Sequence, residues 1–181
     1  EVWKFPDLLP QKWGLKFWQN GIEAYVNPIA NTLIVGFVTS AVALISALIW
    51  LEHSENSISR SAEIFIYLPL LIPQTGFLFG MQILLIWLEA DGLYLTVIWA
   101  HYLFVFPYVL LTLGPIWKRF DIRFELLGAS LGYGKMKRLW HIKIPLMVVP
   151  IITSFTIGFS VSSALYLPTI FAGNGSFLTL T

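Results

Sequence analysis

Four long stretches of this 181-residue sequence carry no Asp, Glu, Lys or Arg, and they constrain the fold more than any other feature: 24–51, 64–88, 92–117 and 144–181. The hydrocarbon core of a bilayer is about 30 Å thick, which a helix of roughly 20 apolar residues crosses. Each stretch reaches that length. Because 57% of the residues are hydrophobic and only 12% are charged, the chain has too little polar surface for a soluble domain. The sequence therefore predicts an all-α fold, a polytopic membrane helix bundle.

The four uncharged stretches predict spans at about 28–51, 64–88, 93–117 and 144–171. The first contains small residues every three or four positions, which permit close helix packing: Gly36, Ser40, Ala43 and Ala47. The second contains Pro69 and Pro73, so we expect it to kink or to begin late. Before the first span, residues 1–23 mix Trp and Phe with lysines and acids, which is typical of a segment at the headgroup level.

Positive charge is concentrated in one loop. Residues 118–143 hold seven of the eleven Lys and Arg residues: Lys118, Arg119, Arg123, Lys135, Lys137, Arg138 and Lys143. Cytoplasmic loops of membrane proteins are enriched in such residues. We therefore expect the 118–143 loop and the 52–63 loop to be cytoplasmic, and residues 1–23 and the C-terminal end to lie outside. An outside N-terminus without a signal peptide suggests a piece of a longer polytopic chain.

Several classes of chemistry are excluded for this stretch. The sequence has no cysteine, so thiolate catalysis, disulfides and cysteine-ligated metals are excluded. It has no Walker glycine loop, and its three histidines are scattered without a carboxylate inside any span. We expect no enzyme activity, cofactor or metal site in the chain itself, and no nucleic-acid partner.

The basic loop contains a pattern beyond its charge. Four residues share one face of a short helix: Leu126, Leu127, Ser130 and Leu131. Gly132 and Gly134 follow, where a missing side chain lets another backbone approach or lets the chain turn. Pro145 then opens the fourth span, where a missing N–H costs little. The pattern predicts a short amphipathic helix linked rigidly to a span.

These residues resemble the EAA loop of permease subunits of bacterial binding-protein-dependent ABC importers of the type I class. Gly132 and the ending Ile142–Pro145 have that family's separation of thirteen residues. The family's acidic position falls on Leu126, with Glu125 one residue earlier, and its two alanines are replaced by Leu127 and Gly128. A second frame, on the run 127–130 (Leu-Gly-Ala-Ser), spoils the spacing to Pro145, so we prefer the frame on Gly132.

Three further segments look like the C-terminal half of fused permeases for thiamine and ferric iron: Asn31–Leu33, Tyr166–Gly173 and Thr179–Thr181. The resemblance implies a methionine-permease-like type I ABC transmembrane domain in the bacterial inner membrane, with thiamine-like compounds or ferric iron as substrates. Its core of five helices implies a further span after Thr181, and the fused family a homologous half before Glu1. It implies as partners cytoplasmic ATP-binding subunits, an extracytoplasmic substrate-binding protein, a second permease half or copy, and membrane lipid.

In that family the loop lies in a groove of the ATPase as a coupling helix. By that comparison the docking residues are Glu125, Leu126, Leu127, Leu131, Gly132 and Tyr133, with Pro145 fixing the link to the fourth span. The polar residues that we expect along a translocation path are Gln74, His101, Ser160, Ser162, Ser163 and Tyr166.

An alternative function is a secondary, proton-coupled transporter, which needs titratable side chains inside its spans. His101 is the only His, Asp, Glu, Lys or Arg residue within the four predicted spans. It could relay protons or contact a ligand, but a neutral, hydrogen-bonded packing role is more common for such a histidine. The sequence therefore favours the ATP-driven importer.

Overall fold

The computed structural model describes residue 8 and residues 16–53, 60–175 and 177–180. Within this part the chain is helical, with no strand, and the predicted all-α membrane helix bundle is confirmed. The interfacial segment predicted at 1–23 and the middle of the 52–63 loop fall largely outside the described residues.

The helices follow one another with short connections. Their bounds are α1 Lys16–His53, α2 Arg60–Leu71, α3 Gln74–Trp87, α4 Tyr94–Lys118, α5 Ile122–Ser130, α6 Lys135–Arg138, a π-helical stretch Leu139–Lys143, α7 Ile144–Leu146, α8 Val148–Ala164 and α9 Tyr166–Gly173. By length and apolar composition, the segments Tyr25–His53 and Tyr94–Lys118 can each cross a bilayer. Two bent pairs of helices bring the number to four if each pair forms one crossing.

The first bent pair lies where the second span was predicted. Its two parts, Ile64–Leu71 and Gln74–Trp87, meet at an angle of 107°. Pro73 immediately precedes α3 and has no N–H to continue the hydrogen-bond ladder of α2, so the helix breaks there. The expected proline kink is thus confirmed, and it is sharp enough to divide the interval into two helices.

The second bent pair lies at the start of the interval predicted as the fourth span. Lys135–Leu146 and Val148–Ala164 meet at 76°. Pro145 cannot donate to the carbonyl of His141, and the residues just before it form the π-helical stretch. A second interruption occurs at Leu165, whose extended backbone separates α8 from α9. The interval 144–171 therefore consists of three helices, of which α8 is the long one.

The centre of the bundle is formed by α1, α4 and α8, which pack against one another. All four small residues predicted on one face of the first span are buried there: Gly36, Ser40, Ala43 and Ala47. A Cβ atom at Gly36 would lie 3.0 Å from the Phe159 ring, and one at Gly158 would lie 2.9 Å from Cγ2 of Val109. The predicted close helix packing is confirmed, and Gly158 supplies the matching small residue on α8.

The end of the bundle opposite α5 is closed by hydrogen bonds from the last described residues. The Asn31 side chain donates to the carbonyl of Leu178 at 3.0 Å, and the Leu180 N–H donates to the Thr32 hydroxyl at 3.0 Å. The Asn174 amide donates to the Asp91 carboxylate at 2.8 Å. These bonds position α9 and the segment after it against the middle of α1 and against the turn that precedes α4.

Candidate functional site

The predicted amphipathic helix of the basic loop exists as α5. At its N-terminus the Asp121 carboxylate accepts a hydrogen bond from the Arg123 N–H at 3.0 Å, as an N-cap residue does. At its C-terminus the Gly132 N–H donates to the Ala129 carbonyl at 2.9 Å, and the Tyr133 N–H donates to the Gly128 carbonyl at 3.0 Å. These two bonds form a Schellman motif. Gly132 has a φ of 81°, so its role is to turn the chain at the end of α5.

A different glycine makes the close approach. A Cβ atom at Gly128 would lie 2.5 Å from Cδ1 of Ile142 and 3.2 Å from Cγ of Arg138. No atom lies within 4 Å of the corresponding position at Gly132. From the sequence, Gly132 could serve either the approach of another backbone or a turn, whereas Gly128 was matched to an alanine position of the family and given no packing role. The missed signal was the glycine inside the predicted helix, since a helix interior disfavours glycine unless packing requires it.

Three leucines of the loop have exposed side chains. Leu126 and Leu127 are each 62% exposed and Leu131 is 72% exposed. Gly132 and Pro145 are exposed as well, and Tyr133 is half-buried. We call Leu126, Leu127 and Leu131 the leucine surface. Exposed apolar side chains that cluster mark a surface that contacts another protein or a membrane, because their burial is favourable.

Glu125 is turned away from that surface and toward the bundle. Its carboxylate lies 3.2 Å from Nζ of Lys143, and the Glu52 carboxylate at the end of α1 lies 3.0 Å from the same nitrogen. Lys143 is only 2% exposed, and its ammonium group lies 4.7 Å from the centre of the Trp117 ring. We call Lys143, Glu52 and Glu125 the ion bridge. It joins α1, α5 and the π-helical stretch.

Sequence reasoning counted Lys143 as one of seven loop cations and as part of the ending 142–145, and predicted no contact for it. The sequence nevertheless contains an indication that Lys143 is buried, because it stands between Ile142 and Ile144 at the start of a long uncharged stretch. Glu52 is likewise the first charge after the uncharged stretch of the first span. Their pairing could not be read from the sequence, since it depends on how α1 and the loop meet in space.

The predicted path residue His101 is buried among three helices. Its Nδ1 lies 2.9 Å from the Ser162 hydroxyl on α8, and its Nε2 lies 2.9 Å from the Thr169 hydroxyl on α9. Both ring nitrogens therefore have hydrogen-bond partners, and the ring joins α4 to α8 and α9. This geometry is that of a packing histidine. Thr169 is part of the arrangement that the sequence did not single out.

The other predicted path residues are not gathered in one place. Gln74 lines a cleft of about 490 Å³ together with Pro69, Phe104, Tyr108 and Leu165, whereas none of the other five predicted residues lines it. Ser160 is exposed and donates to the carbonyl of Thr156 within its own helix at 2.9 Å, and the Tyr166 side chain is half exposed. The Ser163 hydroxyl is buried beside Gly36.

The chain matches no protein-family model. It is 37% identical over 153 residues to the inner membrane ABC transporter permease protein YnjC of Escherichia coli (strain K12), which covers 84% of this chain and 29% of that protein. The chain is homologous to an ABC transporter permease. It is also 25% identical over 150 residues to the spermidine/putrescine transport system permease protein PotC homolog of Mycoplasma genitalium, which covers 78% of this chain and 52% of that protein.

The similarity to these two permeases confirms the coarser part of the predicted resemblance, that to ABC transporter permeases. The chain spans less than a third of the first relative and about half of the second. The aligned region is long enough in this chain to include α5, the leucine surface and most of the membrane helices.

Proposed function

We propose that the chain is a membrane-spanning part of an ATP-driven, binding-protein-dependent importer in the bacterial inner membrane, and that α5 is its coupling helix. The homology to a permease named as an inner membrane ABC transporter protein supports this function. The observation that carries the docking assignment is the leucine surface on a helix that the bundle holds from its other side.

The geometry of α5 suits docking into a groove of a separate subunit. Gly128 allows the helix to lie directly on the π-helical stretch, so the leucines face outward from a rigid support. Apolar side chains at the centre of an interface with charged residues at its rim are the usual arrangement of protein contacts. Lys135 and Lys137 are exposed beside the leucine surface and would supply part of that rim.

The orientation of the chain follows from the same loop. Positive charge in the 118–143 loop supports a cytoplasmic position for α5, on the side where ATP-binding subunits are found. The opposite end, closed by Asn31 and Asn174, then faces an extracytoplasmic substrate-binding protein. A second permease half or copy completes the translocation path in this proposal.

The cleft lined by Gln74 is the proposed contribution of this chain to that path. It lies between α2, α3, α4 and α8, at the break around Pro73 and at the end of α8. Non-helical backbone at membrane depth is tolerated where it is buried in protein or lines a cavity. The sequence resemblance proposes thiamine-like compounds or ferric iron as substrates, whereas the Mycoplasma relative is named for spermidine and putrescine.

Hydrolysis belongs to the partner in this proposal, since the chain has no Walker glycine loop. The alternative of a proton-coupled carrier has less support. His101 already has a hydroxyl partner at each ring nitrogen, and it is the only titratable side chain of its kind in the predicted spans.

Cysteine cross-linking tests the proposal. Leu131→Cys in the full-length protein, co-expressed with its ATP-binding subunit, should cross-link to that subunit with a yield that changes when ATP is added. These 181 residues contain no cysteine, and any cysteine elsewhere in the full-length protein is first replaced by serine. Trp87→Cys is the matched control, because Trp87 is at least as exposed as Leu131 but lies at the opposite end of the bundle. A full-length protein that neither co-purifies nor cross-links with an ATPase would overturn the importer assignment.

A further inference from the structure

The ion bridge places a nearly inaccessible ammonium group between two carboxylates from distant parts of the sequence. Nζ of Lys143 lies 3.0 Å from Glu52 and 3.2 Å from Glu125, and both glutamates are half-buried. A buried charge is costly unless it is paired, so Lys143 keeps its place only while these partners stay close.

The neighbours of the ion bridge show which elements it connects. Lys143 is the last residue of the π-helical stretch, and the side chain of Ile142 just before it lies against Gly128 of α5. The stretch therefore contacts α5 twice, through Ile142 at Gly128 and through Lys143 at Glu125. Through Glu52 the same lysine also reaches the last turn of α1.

A purely apolar contact could fill the same space. Replacing a buried ion pair by apolar residues of similar volume is often neutral or stabilising, so stability alone does not account for a lysine here. Unlike an apolar contact, an ion bridge fixes which groups pair and how the paired helices are aligned, because each carboxylate must stay within hydrogen-bond reach of one nitrogen. This property suits an element that must transmit movement without slipping.

We propose that Lys143 is a positioning residue that clamps α5 to the cytoplasmic end of α1, so that α5, the π-helical stretch and the end of α1 move as one body when the ATPase changes state. The inference rests on the proposed function, since α5 is moved by the ATPase only if it docks there. The clamp adds that a movement of α5 reaches α1 directly, and not only the helices that adjoin the loop in sequence.

Distances between two spin labels, measured by pulsed electron–electron double resonance, test the clamp. Nitroxide labels at Ser130→Cys on α5 and Ile45→Cys on α1 occupy exposed positions on the two elements. In the full-length protein we expect one narrow distance distribution, unchanged when ATP is bound to the associated ATPase. Lys143→Met and Glu125→Gln should broaden the distribution without nucleotide and should make it shift on ATP binding.

Arg119→Met is the control, because Arg119 is exposed in the same loop and its loss removes the same charge. It should leave the distribution as in the parent protein. The inference is overturned if Lys143→Met and Glu125→Gln keep the narrow distribution, or if the parent distance itself shifts with ATP. Glu125→Gln preserves the size of the side chain, so it decides the question should Lys143→Met fail to fold.

The two proposals fail in different ways. If no ATPase associates with the parent protein, the importer assignment fails, while the distributions measured without nucleotide still report whether the clamp exists. If the ATPase associates and the leucine surface cross-links but the clamp variants behave like the parent, only the clamp is wrong.

Discussion

The side chain of Ile142 lies in the space that a side chain at Gly128 would need. Its Cδ1 atom is 2.5 Å from the position of a Cβ atom there. Through this contact α5 packs closely against the π-helical stretch, while the leucine surface stays exposed.

Gly128→Leu should therefore push α5 off its support. Overpacking of this kind costs about 1–3 kcal/mol, and we expect a lower melting temperature together with a lower cross-linking yield at Leu131→Cys. Gly134→Leu is the matched control, since a Cβ atom at Gly134 would contact nothing within 4 Å and its φ is negative. Fluorescence-detected size-exclusion chromatography after heating measures both variants. Equal melting temperatures for the two would contradict the close approach at Gly128.

The contacts of Gly128 and Lys143 were not predicted from the sequence. The proline break near Pro73 and the small face of the first span follow from local composition and periodicity, and the structure confirms them. The partner of Lys143 depends instead on contacts between residues far apart in the sequence. A charge count treats every loop cation as solvated, so it could not distinguish the buried Lys143 from the exposed Lys135.

The same limit applies to the path residues. Hydroxyl and amide groups in the spans were selected by polarity, but a helix can satisfy a serine internally, as Thr156 does for Ser160. Neither the break at Leu165 nor the π-helical stretch could be predicted from the sequence. A proline can begin, kink or interrupt a membrane helix, and which of these happens depends on what packs against it.

The leucine surface provides a test of docking that should not disturb the fold. Leu127→Ser combined with Leu131→Ser removes two exposed apolar side chains, and we expect at least about a tenfold loss of affinity for the ATP-binding subunit if both lie at the centre of the contact. The melting temperature should stay close to that of the parent, because neither side chain is packed in the bundle. Affinity is measured by microscale thermophoresis with the purified ATPase.

Leu178→Ser is the control for the leucine variants, since Leu178 is equally exposed but lies at the opposite end of the bundle. If the double leucine variant keeps its affinity for the ATP-binding subunit, the docking surface lies elsewhere on the protein. Lost affinity in the control would indicate that the measured effect is general destabilisation.

His101 and Thr169 should be energetically coupled. Because Nε2 of His101 lies 2.9 Å from the Thr169 hydroxyl, a double-mutant cycle of His101→Ala and Thr169→Val should give an interaction energy of about 0.5–3 kcal/mol. The same cycle with Ser160→Ala in place of Thr169→Val should give additive effects, since Ser160 bonds within its own helix. Chemical unfolding in detergent supplies the free energies. Additivity in the His101–Thr169 cycle would count against the packing role.

Gly158 should be the least replaceable glycine of the membrane helices. Its Cβ position lies 2.9 Å from Val109, 3.3 Å from Val105 and 3.5 Å from the Ser40 hydroxyl, so a larger residue meets α4 and α1 at once. Valine side chains are stiff at χ1 and cannot swing aside as a long side chain can. We expect Gly158→Leu to abolish a monodisperse elution peak. Gly80→Leu should keep it, because a Cβ atom at Gly80 would meet nothing within 4 Å. A folded Gly158→Leu protein would show that α8 can move away from α1 and α4 at little cost, and the close packing of these three helices would then not be what holds the bundle together.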